Sequence, residues 1–459
     1  MPSTIQSKTK FIFRRLSETG MVWLSVIIGL TCFAFFYYAY FPGVFTPDTV
    51  DQYTQALTGH YEDGHPPVMA WLWTRLLWFH RGPEVLLAFH LAMFWMALLI
   101  LVLTARTASA RLSGAFFIVG FAPWVANLIG MLWKDIGLAA SWLLCVALIV
   151  LARRLEKHRL ILLTLAALPF FYGLSVRVNA FAGAIPLIYL ALRTATRNMT
   201  VLRSFAASLA ILGAGLLGNR VFDHYIAQAK HTEVTQTYLM FDDLRALSDR
   251  ARQNLTPKAS GVTGELMALC PSTAGVAFCY SQHGWDIGID KNPHYFEELK
   301  QSWIQAIRND PIGWIEFRLH AFGQLLRWSE PPFGFAVAST IIPTEFGFTY
   351  QQTRSSSIIE RFVRFTASVA PPLLKPYFWL VLSAALLLLL RFFDGQSKAP
   401  AQALLLSSAL YLLGYALVTP FYPFRYAYWS ALATTVAVIF LLTDRTLHRM
   451  GGSIRPWRN

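Results

Sequence analysis

Charged side chains make up only 14% of this 459-residue chain, against 55% apolar ones. That leaves too little polar surface to solubilise a globule of this length. Cysteine is scarce as well. Its four residues fall at 32, 145, 270 and 279 with no CxxC spacing, and no HExxH, P-loop or GxGxxG pattern occurs. Zinc and nucleotide chemistry therefore have little support. Internal repeats and low-complexity tracts are also missing, which argues against a solenoid.

What the chain has in quantity is uninterrupted apolar sequence, with a mean hydropathy of +0.44. Residues 22–40 carry no charge, and as a helix they are long enough to cross a bilayer core of roughly 30 Å. Similar segments recur near 84–105, 113–132, 136–152, 160–176, 178–192, 203–219, 376–390, 401–419 and 428–443. The expected fold is an all-α polytopic membrane protein of about ten transmembrane helices, with outer interfacial helices and one long extracytoplasmic segment. Three parts follow: a transmembrane module at 1–219 that includes a first outer loop at 41–83, the outer segment at 220–375, and transmembrane helices with a basic tail at 376–459.

The basic residues set the orientation. The N-terminal arm, alternate connections and the tail together hold 19 basic residues against four acidic ones, a net +15 that accounts for the whole chain's +14. By the positive-inside rule these segments and both termini are cytoplasmic. The charge is thus a topology signal with a secondary attraction to anionic lipid, and no nucleic-acid partner is expected. The first apolar segment reads as an uncleaved anchor, because AYFPG follows it in place of a small-x-small site. Cys32 and Cys145 fall in expected spans as buried apolar residues. Cys270 and Cys279 bracket PSTAGVAF and are expected to close a small loop in an oxidising compartment.

Every unusual polar cluster falls on the opposite face. The stretch TPDTVDQYTQALTGHYEDGHPPVMAWLWTR, 46–75, places four carboxylates and two histidines directly after the first span. Thr46 suits an N-cap and Pro47 the first helical position, so Asp48 and Asp51 share a face of a short helix. By itself Asp48 is explained as a complement to the helix dipole. Its company changes that reading: Glu62, Asp63, His65 and Pro66-Pro67 follow, and then a Trp-rich stretch suited to the interface.

This order of a span, an acidic helix start and then Gly59-x-Tyr61-x-Asp63-x-His65-Pro66-Pro67-Val68 resembles the first outer loop of GT-C glycosyltransferases. Within that group it is similar notably to protein O-mannosyltransferases and their bacterial relatives. Trp133-Lys134-Asp135, Arg177-Val178-Asn179 and Pro423-Phe424-Arg425-Tyr426 extend the resemblance at the outer ends of other spans. It covers the whole topology through four short motifs. It implies a GT-C-like fold, a polyprenyl-phosphate sugar as donor and inversion at the transferred sugar. The chain departs from the pattern in three ways. Asp48-Thr49 stands where an acidic pair is usual, Pro423 stands where an Asp is common, and nothing resembles an appended β-trefoil. These departures bear on the acceptor.

The chemistry gives the residues roles of their own. Transfer to a hydroxyl needs a base, and cations must receive the charge growing on the leaving phosphate. Asp48 is the expected base, with a pKa raised by desolvation. Lys134, Arg177 and Arg425 are the expected phosphate ligands, each a lone cation at the mouth of a span. Asp51, Asp63, His65 and Asp135 would orient the base or bind acceptor. Each also has a purely structural reading: Lys134 snorkelling beside a solvated Asp135, Arg177 paired with an outer carboxylate, Arg425 anchored in an aromatic belt, and the Asp63-to-Pro67 turn a rigid helix entry. His80, His90 and His158 read as bystanders.

The outer segment is expected to supply a lid and acceptor specificity. A helix there would carry Asp242 and Asp243, 312–328 would form an interfacial helix with Glu316, Arg318 and His320, and a Pro- and Gly-punctuated loop would run over 331–348. The expected activity is a membrane glycosyltransferase of a bacterial inner membrane, acting on the periplasmic face. Its acceptor would be a cell-envelope glycan, a glycolipid or a secreted protein such as a pilin. A divalent cation is compatible with this reaction but not required, since Arg and Lys can neutralise a monophosphate. A transporter or flippase for a lipid-linked sugar also wants cations at the membrane face, although clustering of the polar residues on one side favours an enzyme. A non-catalytic scaffold would have no need of Asp48.

Overall fold

Long apolar runs with few breakers become helices, and the computed structural model is helical throughout, with no strand among the described residues. It describes residues 2–105, 113–196, 198–232, 234–260, 262, 295–328, 346–348, 352–393, 395–419 and 423–450. The expected Cys270–Cys279 loop and residues 331–345 lie outside these. In chain order the helices are α1 Pro2–Tyr40, α2 Pro47–Thr58, α3 Val68–Leu76, α4 Glu84–Ala105, α5 Ala115–Ile118 and α6 Pro123–Ala126. Then come α7 Lys134–Arg154, α8 Arg159–Ser175, α9 Phe181–Ala195, α10 Val201–Val221, α11 Val234–Ala251 and α12 Tyr295–Asn309. The last are α13 Pro311–Leu326, α14 Arg354–Val369, α15 Pro376–Leu389, α16 Lys398–Leu413 and α17 Tyr428–Met450.

Among the described residues six stretches are long and apolar enough to cross a membrane: Thr19–Tyr40, Glu84–Ala105, Lys134–Arg154, Glu156–Ser175, Val201–Ile226 and Phe424–Thr443. Phe181–Ala195 and Pro376–Phe392 are shorter apolar helices. The segment expected to span at 113–132 is not one helix. Ala122, ahead of Pro123, takes an extended ψ of 130°, as the residue before a proline prefers, and the chain splits into α5, a 3-10 turn and α6. It still runs the length of the bundle, because Phe116 packs on Phe440 while Val125 accepts a hydrogen bond from Tyr428 near the other end of α17.

Helix α7 forms the centre. It is rich in small residues, and they let its neighbours approach closely. At Gly137 a Cβ would stand 2.8 Å from His90 Nε2 and 3.0 Å from the Tyr172 hydroxyl, which bond each other at 2.8 Å. Hydroxyls tie the C-terminal helices together inside the apolar core: Ser383 bonds Ser408 at 2.9 Å and Thr434 at 2.7 Å. By contrast α1 and α10 present large apolar side chains outward, among them Leu30, Ile27 and Leu217.

The described part of 220–375 adds α11 to α14, of which α11 and α12 bury Phe241, Leu244, Tyr295 and Leu299 against one another. Asp243 does lie on a helix, as its spacing predicts, but Arg318 is not at an interface. It is fully buried, with Nε 2.7 Å from Asp243 Oδ1, and it donates to Leu239 O and Thr419 O at 3.0 and 3.2 Å. One guanidinium therefore fastens these helices to the chain that follows α16.

Candidate functional site

The first outer loop is fixed to the centre of the molecule by backbone. Val44 N donates to Gly130 O at 3.1 Å and Leu132 N to Val44 O at 3.5 Å, an isolated parallel bridge between Val44 and Met131. This sets Thr46 and Asp48 beside Trp133, Lys134 and Asp135. Thr46 is the N-cap residue of α2, but its hydroxyl does not cap the helix. It accepts instead from Trp133 Nε1 at 2.8 Å. Pro47 takes the first helical position, leaving Asp48 in the first turn.

Around that turn four separate stretches of chain meet. Arg425 Nη1 donates to Asp48 Oδ2 at 2.7 Å, and Arg425 Nε lies 4.0 Å from Asp135 Oδ2. Arg177 Nη2 reaches both oxygens of Asp135 at 2.5 Å. Lys134 Nζ stands 2.5 Å from His65 Nδ1, and among the described residues it has no carboxylate within ion-pair reach. Aromatic faces wall the cluster: Arg425 lies over Trp133 at 4.7 Å, and Arg177 over Tyr426 at 4.8 Å. Tyr426 in turn stacks on Tyr415 at 4.8 Å.

The electrostatics of this group are unusual for so dry a place. Asp135 is 2% exposed, Arg177 14%, Arg425 16% and Asp48 29%. Two carboxylates face three cations, a net of +1. Arg177 Nε and Arg425 Nε are buried without a hydrogen-bond partner, so two strong donors in the cluster are unused. Burial would raise the Asp48 carboxyl, but the neighbouring Arg425 outweighs it and Lys134 adds to the effect, holding Asp48 well below the usual carboxylate range. The expectation of a raised Asp48 pKa is therefore corrected, because the ion pair overrides desolvation. Burial and the facing Lys134 push His65 down to about 3. It is neutral at physiological pH, with Nδ1 free to accept from the ammonium.

Asp48, His65, Lys134, Asp135, Arg177 and Arg425 thus come together, whereas Asp51 and Asp63 are turned to other partners. Asp51 accepts from Gln55 at 2.9 Å on the exposed side of α2. Asp63 accepts from the Thr232 backbone at 2.5 Å and its hydroxyl at 3.1 Å, and contacts His231 Nδ1 at 2.5 Å. It ties the first loop to the chain leaving α10. Arg177 does take an outer carboxylate, as its structural reading anticipated. Lys134 is buried and does not snorkel, and Arg425 is an ion-paired residue inside an aromatic box.

One feature escaped sequence reasoning. Asn179, next to the cluster in sequence, has a buried Nδ2 without a partner; its only prior signal was its place in the Arg177-Val178-Asn179 motif. Phe346 and Phe348, in the 331–348 loop that the sequence places near the site, pack on Tyr53 of α2 at 5.2 and 5.7 Å. Among the described residues no group of three or more His, Cys, Asp or Glu side chains is arranged to hold a metal ion. Comparison of the chain with models of protein families, with curated proteins and with solved structures gives no match.

Proposed function

We propose that this protein is a membrane glycosyltransferase of GT-C type that moves a sugar from a polyprenyl-phosphate donor to a hydroxyl acceptor outside the cytoplasm. The observation carrying this reading is the convergence of Asp48, Lys134, Asp135, Arg177 and Arg425, from four distant stretches of chain, into one buried cluster of net charge +1. A sugar linked to a lipid through a phosphodiester carries a single negative charge, which this cluster would neutralise. The unused Nε groups of Arg177 and Arg425 supply donors for phosphate oxygens.

In the reaction the acceptor oxygen bonds to the anomeric carbon as the bond from that carbon to the phosphate oxygen breaks. The acceptor proton passes to Asp48, and the lipid phosphate leaves with one more negative charge, which Arg425, Arg177 and Lys134 receive. Asp48 in its ion pair is a weak base. A phosphate that draws Arg425 toward itself loosens that pair and restores basicity to the carboxylate, so donor binding would switch the base on. Asp135, paired with Arg177, positions the guanidinium plane. The GT-C fold, a span count of ten and a periplasmic site in a bacterial inner membrane belong to the same proposal, as does an acceptor drawn from envelope glycans, glycolipids or secreted proteins.

The test is mass analysis of surface glycolipid and secreted protein from cells carrying wild-type or Asp48→Asn protein at matched membrane levels. Loss of a general base should lower transfer by about a hundredfold or more, and one sugar mass should disappear. If every glycan survives Asp48→Asn while deletion of the protein still removes one, Asp48 is structural and a transport role for lipid-linked sugar takes over.

A further inference from the structure

At the other end of α7, about 30 Å from Lys134 by helix rise, the ends of several helices surround a cavity of about 460 Å³. Arg153, Arg154, Arg159 and Arg193 line it together with one acid, Glu156. Its apolar wall includes Leu101, Val150 and Phe440. This is the basic face, which the positive-inside rule assigns to the cytoplasm.

That rule and the helix dipole explain why arginines occur here. Arg153 and Arg154 close α7 and Arg193 lies in the last turn of α9, where cations are favoured. Arg159 fits the charge rule but not the dipole. It opens α8, the end at which the dipole disfavours a cation. Its Nη2 lies 3.2 Å from Glu156 Oε1, yet its Nε is buried with no hydrogen-bond partner. Arg193 is held in place by donation from Nη1 to the Met199 carbonyl. A cation at the wrong helix end, with an unused donor beside a cavity, has a physical reason to be there if an anion completes it.

We propose that this cavity binds the phosphate of an anionic lipid headgroup from the cytoplasmic leaflet, with Arg159 and Arg193 as the phosphate ligands and the apolar wall receiving the start of the acyl chains. Basic pockets between transmembrane helices at the cytoplasmic side have this chemistry, and the volume is in the range of small-molecule sites. The site is independent of the Asp48 cluster and its test reads no sugar transfer.

The full-length protein is extracted from phosphatidylcholine vesicles containing a minor fraction of phosphatidylglycerol, and retained lipid is counted by native mass spectrometry. Wild-type protein should retain phosphatidylglycerol selectively. Arg159→Gln with Arg193→Gln should lower retention by about tenfold or more, since the loss of even one good charge-assisted contact is worth about that, whereas Arg361→Gln on the distant, exposed face of α14 should leave it unchanged. Arg159→Lys keeps the charge and loses the planar fork, so it should give an intermediate value even if the double variant folds poorly. Equal retention by wild-type protein and Arg159→Lys, or retention of phosphatidylcholine as readily as phosphatidylglycerol, overturns the proposal. Saturable binding of inorganic phosphate by wild-type protein with no lipid retained assigns the pocket to a soluble phosphate and overturns the lipid assignment.

Discussion

Replacing Asp135 by Asn removes one negative charge from the most buried point of the cluster. The carboxylate is 2% exposed, both its oxygens take Arg177 Nη2 at 2.5 Å, and Arg425 Nε stands 4.0 Å away. With it neutral, three cations face the single carboxylate of Asp48, and Arg177 keeps no carboxylate partner within ion-pair distance among the described residues. Removing one member of a buried ion pair costs about 3–5 kcal/mol, chiefly because the other charge stays buried and uncompensated. Asp48→Asn should cost only about 1 kcal/mol, since Asp48 is 29% exposed and water can replace part of its pairing. SDS-induced unfolding in mixed micelles, followed through the 15 tryptophans, measures both. The double variant Asp135→Asn with Arg177→Gln should fall short of the summed single costs by about 2 kcal/mol, the coupling expected of groups in direct contact. If Asp135→Asn lies within about 1 kcal/mol of wild type, or the double variant is simply additive, the Asp135–Arg177 pair does not hold the cluster together.

Three further outcomes follow from particular contacts. His65 titrates near 6.5 when free and near 3 in the fold, so the unfolded chain binds more protons between those values. Stability is fully present above about pH 6.5 and declines as the pH falls toward 3, by at most about 2 kcal/mol at pH 5; unfolding scans of wild type and His65→Gln should show this slope only in the wild type. Gly130→Ala places a Cβ 2.0 Å from the Tyr40 ring, and displacing that ring, whose hydroxyl bonds Ala126 O at 2.5 Å, should cost about 1–3 kcal/mol in a thermal melt. Arg318→Gln leaves Asp243 buried without its cation and should cost about 3 kcal/mol, seen as faster proteolysis within 234–326.

The site was more legible in the sequence than the fold around it, and the reason lies in the cost of charge. Lys134, Asp135, Arg177 and Arg425 stand out because each interrupts an apolar run at its end, where an unpaired charge is expensive. Cost marks a residue without naming its partner. Which anion Arg425 pairs with depends on a contact spanning 377 positions, and no local pattern encodes it. The same gap explains Asp63. Its Asp-x-His-Pro-Pro setting was visible, but its partners Thr232 and His231 lie 169 and 168 positions away in a segment without distinctive composition. Helix existence was easy to read in 22–40 and 84–105. Helix continuity was misjudged at 113–132, where hydropathy outweighed the plain meaning of Pro123.

The reversal at Asp48 shows how one contact changes the chemistry expected of a residue. Desolvation and ion pairing act on a carboxylate with opposite sign, and proximity to a bilayer predicts only the first. Arg425 at 2.7 Å decides the outcome for the second. Under the proposed reaction, a base held ionised but weakly basic by a cation that phosphate also wants would link two events with no moving part between them. The carboxylate would be strengthened only when an anion competes for Arg425, so water alone would find a poor base in the resting site. For a chain that would hold a reactive lipid-linked sugar at an aqueous face, that linkage is a physical reason for placing the base and the phosphate ligand in the same ion pair.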